Sequence, residues 1–432
     1  MRLTTRRTRA YGARRPTFLI VASQAPPDEY GRPRLDCRPG AHMPTVMISC
    51  GEPSGDLYAG ALASELVRRD ASCRIVGFGG ERLRAAGASL SGDYRGVTVT
   101  GLTEAIRVLP RSYGMYRRLV AQARAERPDV FVPIDFPDFN FRLASAVRRL
   151  GVPVVYYISP QLWAWRPGRI HAMKRFVTKV LPIFPFEAAL YERERIPVTF
   201  VGHPLVDLID VRATRDAFLR RAGLDPSAPT VALLPGSRPN ELRATLPVLR
   251  ETMPLITAPV PAAQFVVARA PHLNDTLFAP LLEARGAGRA KAAIVEGQTD
   301  EVLHAADVVV TASGTATVQT ALHGKPMVIV YRLSPLTYKV GRRFVRVSTF
   351  GMVNLIAGRQ IVPELIQDAF TPERVAAETV RFLTDPVAAA EARAALAEVR
   401  ARLGPPGASR RAAEAILEVA RDSEASRHGR AS

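Results

Sequence analysis

The sequence is poor in cysteine and, for its charge, in lysine. Its 432 residues hold three cysteines, Cys37, Cys50 and Cys73, with no C-x-x-C pair, no metal-ligand spacing and no even-numbered set. A disulfide framework is therefore excluded, and a reducing compartment is the simplest expectation. No apolar run reaches the roughly 18 residues needed to span a bilayer, so a soluble or peripheral protein is expected. No G-x-G-x-x-G follows the first strand-like run, which argues against a dinucleotide fingerprint. No Asp-x-Asp pair occurs either, so a metal-bridged diphosphate is disfavoured and no metal site is expected. Internal repeats of solenoid period are also missing.

What is present is an ordinary globular composition, 47% hydrophobic and 23% charged, over a length that suits two to three domains. The charge is less ordinary. Lys+Arg total 59, only five of them lysine, against 40 acids, giving +19. A chain this basic favours polyanions: nucleic acid, phosphorylated small molecules or an anionic membrane surface. Residues 1–42 contribute nine arginines and three acids, or +6 of that excess, and are broken by proline and glycine. They are expected to be a disordered basic leader, or a misassigned start upstream of Met43, with a transit-type peptide as the alternative.

From residue 45 the chain alternates short apolar runs with helical patterns, the mark of parallel α/β units. Runs at 46–50, 75–78, 130–134, 154–158, 180–183 and 198–201 read as buried strands, with helices expected at 57–68, 113–126 and 139–150. A second series follows at 231–234, 265–268, 293–295, 308–311 and 328–331. Two doubly wound domains are expected, residues 43–206 and 207–370, facing across a cleft. Residues 371–432 should form C-terminal helices and a tail, opened by Thr371 as a cap and interrupted at 404–407.

In such sheets ligands bind beyond the carboxyl ends of the strands. Gly51-Glu52-Pro53-Ser54-Gly55-Asp56 follows the first strand and opens a helix. It reads either as a docking point for an anion or hydroxyl, or as a tight turn capped by Ser54 or Asp56. After 130–134 stands Asp135, a candidate general base whose burial would raise its pKa, and Asp138 is expected to cap the next helix. The loop after 154–158 holds both tryptophans, Trp163 and Trp165, which either fill the core or wall a sugar or acyl site. His203 lies at the expected interdomain cleft. The second domain carries the clearest anion signal. Gly236, Ser237 and Arg238 open one helix, and Ser313, Gly314 and Thr315 open another, each a small-residue, amide-rich start suited to a diphosphate.

Together these segments resemble the lipid-A-disaccharide synthase family, inverting glycosyltransferases of GT-B architecture. The resemblance is carried by GEPSGD at 51–56, DVFVPIDFPDFNF at 129–141, YYISPQLWAW at 156–165, PFE at 185–187 and VGHPL at 201–205. It continues through LLPGSR at 233–238, SGTAT at 313–317, and NLIAGR with VPELIQ within 354–367. The resemblance implies transfer of 2,3-diacylglucosamine from its UDP derivative to the 6-hydroxyl of 2,3-diacylglucosamine 1-phosphate, giving a β-1,6-linked disaccharide phosphate and UDP. It implies Asp135 as base and Arg238 on the diphosphate, with neither cofactor nor metal. It also brings Asn354, Glu364 and Gln367 near the nucleotide and donor sugar, and Glu52, Ser54, Asp56, Trp163, Trp165 and His203 within reach of donor or acceptor. The family usually has glutamate where this chain has Gln319, which is expected to contact ribose, and often proline where it has Val353.

An acylated substrate implies a membrane. Residues 101–126 mix apolar side chains with Arg107, Arg111, Arg117 and Arg118, as suits an interfacial helix on anionic headgroups. The implied location is cytoplasmic, peripheral to the inner membrane, and a homodimer is compatible with it. Two other readings stay open. Another GT-B enzyme acting on UDP-N-acetylglucosamine, an epimerase or transferase, would share the diphosphate turns but not the ISPQLWAW and IDFPDFN segments. A non-catalytic nucleic-acid or nucleotide binder would suit the charge, but no basic stretch is interleaved with stacking aromatics, and nucleic acid is not expected as a partner.

Overall fold

A computed structural model describes residues 43–95, 102–163, 168–271, 273–278, 281, 291–332 and 351–428, and of residues 102–108 only the backbone. The expected leader therefore lies outside the described residues. Two six-stranded parallel sheets dominate. In the first, β1 (Thr45–Cys50), β2 (Arg74–Gly79), β3 (Ser89–Asp93), β4 (Val130–Ile134), β5 (Val155–Tyr157) and β6 (Lys179–Leu181) lie in the order β3-β2-β1-β4-β5-β6. In the second, β7 (Thr230–Leu234), β8 (Gln264–Arg269), β9 (Lys291–Glu296), β10 (Val308–Ala312), β11 (Met327–Tyr331) and β12 (Glu364–Ile366) lie in the order β12-β11-β10-β7-β8-β9. Each sheet winds outward in both directions from its first strand, so each has a switch point, between β1 and β4 and between β7 and β10. Crevices open there because the connecting helices leave on opposite faces.

One expected strand is missing and two unexpected ones are present. Residues 198–201 make only an isolated bridge from Val198 to Val180, and the edge is instead filled at the far side by β3. Its sequence, SLSGD, is half-buried and polar, so it carries no apolar run to read. Likewise β12, three residues long, extends the second sheet beside β11.

The helices are α1 (Pro53–Arg69), α2 (Glu81–Ala85), α3 (Leu102–Glu126), α4 (Pro137–Arg149), α5 (Arg169–Met173), α6 (Pro185–Arg193), α7 (Leu205–Leu208), α8 (Arg215–Arg221), α9 (Pro239–Thr257), α10 (Thr299–Ala305), α11 (Thr315–Leu322) and α12 (Met352–Ala357). Then follow α13 (Pro372–Thr384), α14 (Pro386–Arg402) and α15 (Ala408–His428). Proline opens α1, α4, α6, α9, α13 and α14, where its missing N–H costs nothing. Thr371 caps α13 as expected, accepting the Arg374 N–H. The tail helix is split at Asp385, whose carboxylate takes the Val387 and Ala388 N–H groups and starts α14.

The last helix returns to the first sheet. It packs on α1, where Arg69 pairs with Glu414 at 2.7 Å, and reaches the far end of β4, where Arg427 pairs with Asp129 at 3.1 Å. The chain thus crosses between the sheets twice. The crossings are tied together: the His203 N–H donates to the Leu403 carbonyl at 2.8 Å, Gly407 and Ala408 donate to the Asp207 carboxylate, and Arg411 donates to the Val201 carbonyl.

Candidate active site

Both switch points face one cleft, and four of the expected segments flank them: 51–56 after β1, 135–140 after β4, 236–238 after β7 and 313–315 after β10. On the first side the two loops touch. A Cβ at Gly51 would stand 2.2 Å from the Phe136 ring, so only glycine lets the β1 turn lie on that ring. Asp135 and Phe136 both take left-handed backbone, at φ 44° and 50°, which is uncommon outside glycine and is upheld only when the surroundings fix it. They do so here. The Asp135 N–H donates to the Ile158 carbonyl at 3.1 Å, and its carbonyl accepts from Asn140 Nδ2 and the Tyr156 hydroxyl, each at 2.8 Å. Asn140 is itself buried and takes the Ser49 hydroxyl at 2.7 Å.

The Asp135 carboxyl is only partly open to solvent. Burial, reinforced by the nearby Glu52 charge, pushes its pKa up to about 7, against the opposing pull of Arg238. A carboxyl poised near neutrality at a strand's carboxyl end suits proton abstraction. Asp138 does not cap α4; it sits in the first turn and pairs with Arg169, while Phe136 holds the cap position.

On the second side Arg238 reaches across the cleft. Its Nη2 meets Glu52 Oε2 at 2.8 Å and its Nη1 meets Glu241 Oε1 at 3.1 Å. The other Glu241 oxygen accepts the Ser237 N–H at 3.1 Å and would lie 2.6 Å from a Cβ at Gly236, whose φ is 123°. A carboxylate therefore rests in the turn that was expected to take a diphosphate. Glu241, the third residue of α9, was missed, although an acid three positions after a helix cap is a local signal that its side chain folds back onto the turn. The second anion turn joins the same cleft: Gly314 and Thr315 are exposed at the start of α11, the Ser313 N–H donates to the Val330 carbonyl, and the Thr315 side chain lies beside the Tyr58 hydroxyl of α1.

Other expected contacts are placed differently. Asp56 is buried, and its two oxygens accept the N–H groups of Gly80, Arg82 and Leu83 at 2.7 to 3.2 Å. It starts α2 and is not offered to a ligand. Ser54 stays half-buried in the first turn of α1, whose cap residue is Glu52. His203 is 2% exposed, packed against Tyr58 and Phe184 with Nδ1 accepting the Leu205 N–H. Burial drives its pKa down to about 3, so it stays neutral.

Asn354 is also committed to structure, donating to Glu364 and the Val362 carbonyl and accepting two N–H groups of residues 361 and 362. Glu364 further accepts the Gly351 N–H, and Gln367, at φ 55°, turns the chain after β12. Gln319 donates to Asp300 at 2.8 Å beside His323, where a glutamate would meet a like charge. Trp163 donates its indole N–H to buried Glu187 at 3.2 Å and stands edge-on to Phe186. Trp165 lies outside the described residues.

With this geometry in place, the comparisons with known proteins are decisive. A family model described as lipid-A-disaccharide synthetase matches residues 46–419. The chain belongs to the lipid-A-disaccharide synthase family. The family's enzyme from Geobacter metallireducens is 43% identical over 377 residues, 87% of this chain and 97% of that relative. The one from Myxococcus xanthus is 42% identical, again over 87% and 97%. Solved structures share the fold at lower identity. A UDP-N-acetylglucosamine 2-epimerase from Neisseria meningitidis, bound to UDP-N-acetylglucosamine, aligns with a TM-score of 0.62 at 13% identity, covering 87% of this chain and all of that one. HepE of Anabaena, in complex with UDP and glucose, aligns at 0.55 and 14%, over 87% and 100%. The architecture is thus GT-B: two doubly wound halves across a cleft, with C-terminal helices crossing back.

Proposed function

We propose that this chain transfers 2,3-diacylglucosamine from its UDP derivative to the 6-hydroxyl of 2,3-diacylglucosamine 1-phosphate, with inversion, releasing UDP. The observation that carries the mechanism is the Asp135 carboxyl, held near neutrality in a cleft whose opposite wall is lined by amide-rich helix starts and Arg238. Inversion in one displacement needs one base. Asp135 takes the acceptor hydroxyl proton as that oxygen attacks the anomeric carbon and the diphosphate leaves. Charge developing on the diphosphate is met by Arg238, by the amides of Gly236 and Ser237, and by Ser313, Gly314 and Thr315 at the α11 start. For that to happen Arg238 must release Glu52 and Glu241, so the resting carboxylates act as stand-ins for the phosphates. Gln319, Asn354, Glu364 and Gln367 then shape the nucleotide side, and Glu52, Ser54 and Trp163 the sugar side.

The acylated substrates are reached at a membrane surface. On α3, Leu109 and Tyr113 are 56% and 63% exposed, beside Arg111, Arg117 and Arg118. A groove of about 560 Å³ there is lined by Arg95, Arg111, Met115 and Arg118 with Asp93, and it suits acyl chains with anionic headgroups. No described helix is long and apolar enough to cross a membrane. We take the location as the cytoplasmic face of the inner membrane, the domain limits as 43–206 and 207–370, and a homodimer as the assembly to test. Mass spectrometry of purified protein with both acylated substrates tests the reading: the disaccharide phosphate and UDP are expected in equal amounts, and their absence overturns it.

A further inference from the structure

Glu187 is the one strongly perturbed carboxyl of the cleft that the mechanism above leaves idle. It is the third residue of α6 and 1% exposed. Its Oε1 accepts the Trp163 indole N–H at 3.2 Å, while Oε2 is buried without a hydrogen-bond partner among the described residues. The groups facing it are known from every side. Asp135 approaches from the end of β4 and adds like charge, Trp163 comes from the loop after β5, and the backbone of Ile183 and Phe184 comes from the turn before α6. On its own helix stands Tyr191, whose hydroxyl is taken up by Ser159 at 2.5 Å. No cation pairs with it among the described residues.

An ionised carboxylate with one oxygen unpaired, beside a second carboxylate, costs far more to bury than the neutral acid, which leaves a single hydroxyl to satisfy. In the neutral form the carbonyl oxygen accepts the indole, and the hydroxyl oxygen is the one left over. Phe186 and Phe184 extend this seat, Phe186 edge-on to Trp163 at 5.1 Å and stacked on Phe184 at 5.7 Å.

We propose that Glu187 is a positioning residue of the transfer reaction, which in its uncharged form pins the Trp163 indole as a wall of the Asp135 cleft. The proposal rests on the transfer reading above. Burial pushes the Glu187 pKa up to about 8, against the opposing pull of the Trp163 indole and the Phe184 and Ile183 amides, so ionisation above that pH sets a second negative charge beside Asp135 in the cleft, against the incoming diphosphate. Activity should then rise through the Asp135 titration near pH 7 and fall through that of Glu187 near pH 8, as macroscopic steps of a coupled pair.

The test is a set of pH profiles of kcat/KM. Glu187→Gln keeps a carbonyl oxygen for the indole and cannot ionise, so it should retain activity at pH 7 and lose the alkaline fall. Glu187→Ala and Trp163→Phe should each cost about tenfold to a hundredfold in kcat/KM, the range for a misplaced contact, with UDP affinity unchanged by calorimetry. The double variant should be no worse than the poorer single one. Glutamine as damaging as alanine, an alkaline limb that persists in Glu187→Gln, or additive losses would each overturn the proposal. A fluorescence arm separates it from the transfer reading. In a Trp165→Phe background, Glu187→Ala should shift Trp163 emission and raise its quenching by acrylamide, and Glu187→Gln should not. Emission indifferent to Glu187→Ala overturns the proposal even if transfer stands, and absent UDP release in the wild type overturns the transfer reading alone.

Discussion

Asp135 pulls stability and chemistry in opposite directions. Its folded-state pKa lies above the unfolded value, so it contributes stability that is present below about pH 4 and lost by about pH 7. Asp135→Asn should therefore raise the melting temperature by a few degrees at pH 8, and less at pH 4, while lowering kcat by roughly 10²- to 10⁴-fold, the scale of general-base loss. UDP binding by calorimetry should persist. Glu52 raises the Asp135 pKa and holds one side of Arg238. Glu52→Gln should then shift the acid limb of the kcat/KM profile to lower pH and tighten UDP severalfold, because Arg238 loses a competing charge. Asp135 was legible because a carboxylate following a buried apolar run can be placed at a strand end from sequence alone. Asn140 and the capping role of Asp56 were not, since each bonds to a segment 24 or more residues away that the pattern cannot bring near.

Among the elements, those buried on both faces announced themselves. The runs at 130–134 and 308–311 are fully buried and apolar enough to read directly, although the helix after the first opens at Pro137, before the Asp138 expected to cap it. Edge strands were hidden because half-buried residues carry no hydrophobic signature, as β3 shows, and because three residues are too few for one, as β12 shows. The α3 helix is the reverse case. Its apolar residues were legible, but which of them remain exposed follows only from how the helix packs on β2 and α4. Replacing Leu109 and Tyr113 by serine should weaken co-sedimentation with vesicles containing anionic phospholipid several-fold, consistent with the loss of two partly buried apolar groups at an interface. Added salt should weaken what remains, and calorimetric UDP binding should be unaffected.

For the whole molecule, the returning helix changes how the two halves are joined. Asp207 accepts three contacts from the Gly407 and Ala408 N–H groups and so welds one crossing to the other. Asp207→Ala leaves those amides without their acceptor and should lower the melting temperature by several degrees, the expected scale for losing charged hydrogen bonds in a chain this long. Charge also divides at this scale. The +19 of the chain includes +6 on residues 1–42, leaving +13 on residues 43–432, the part that the proposed transfer would use on a diphosphate, a phosphorylated acceptor and a membrane face.

Twin tethers lying side by side permit less than one would. Two halves joined by a single strand can swing, twist or slide, but two adjacent strands bonded to each other leave mainly rotation about the line they share. Such a joint would act as a hinge, with displacement smallest at the tethers, and the Arg238–Glu52 pair spans the two halves across the cleft beside it. A half-exposed ion pair across the cleft is screened by salt, so raising the ionic strength should favour a wider cleft.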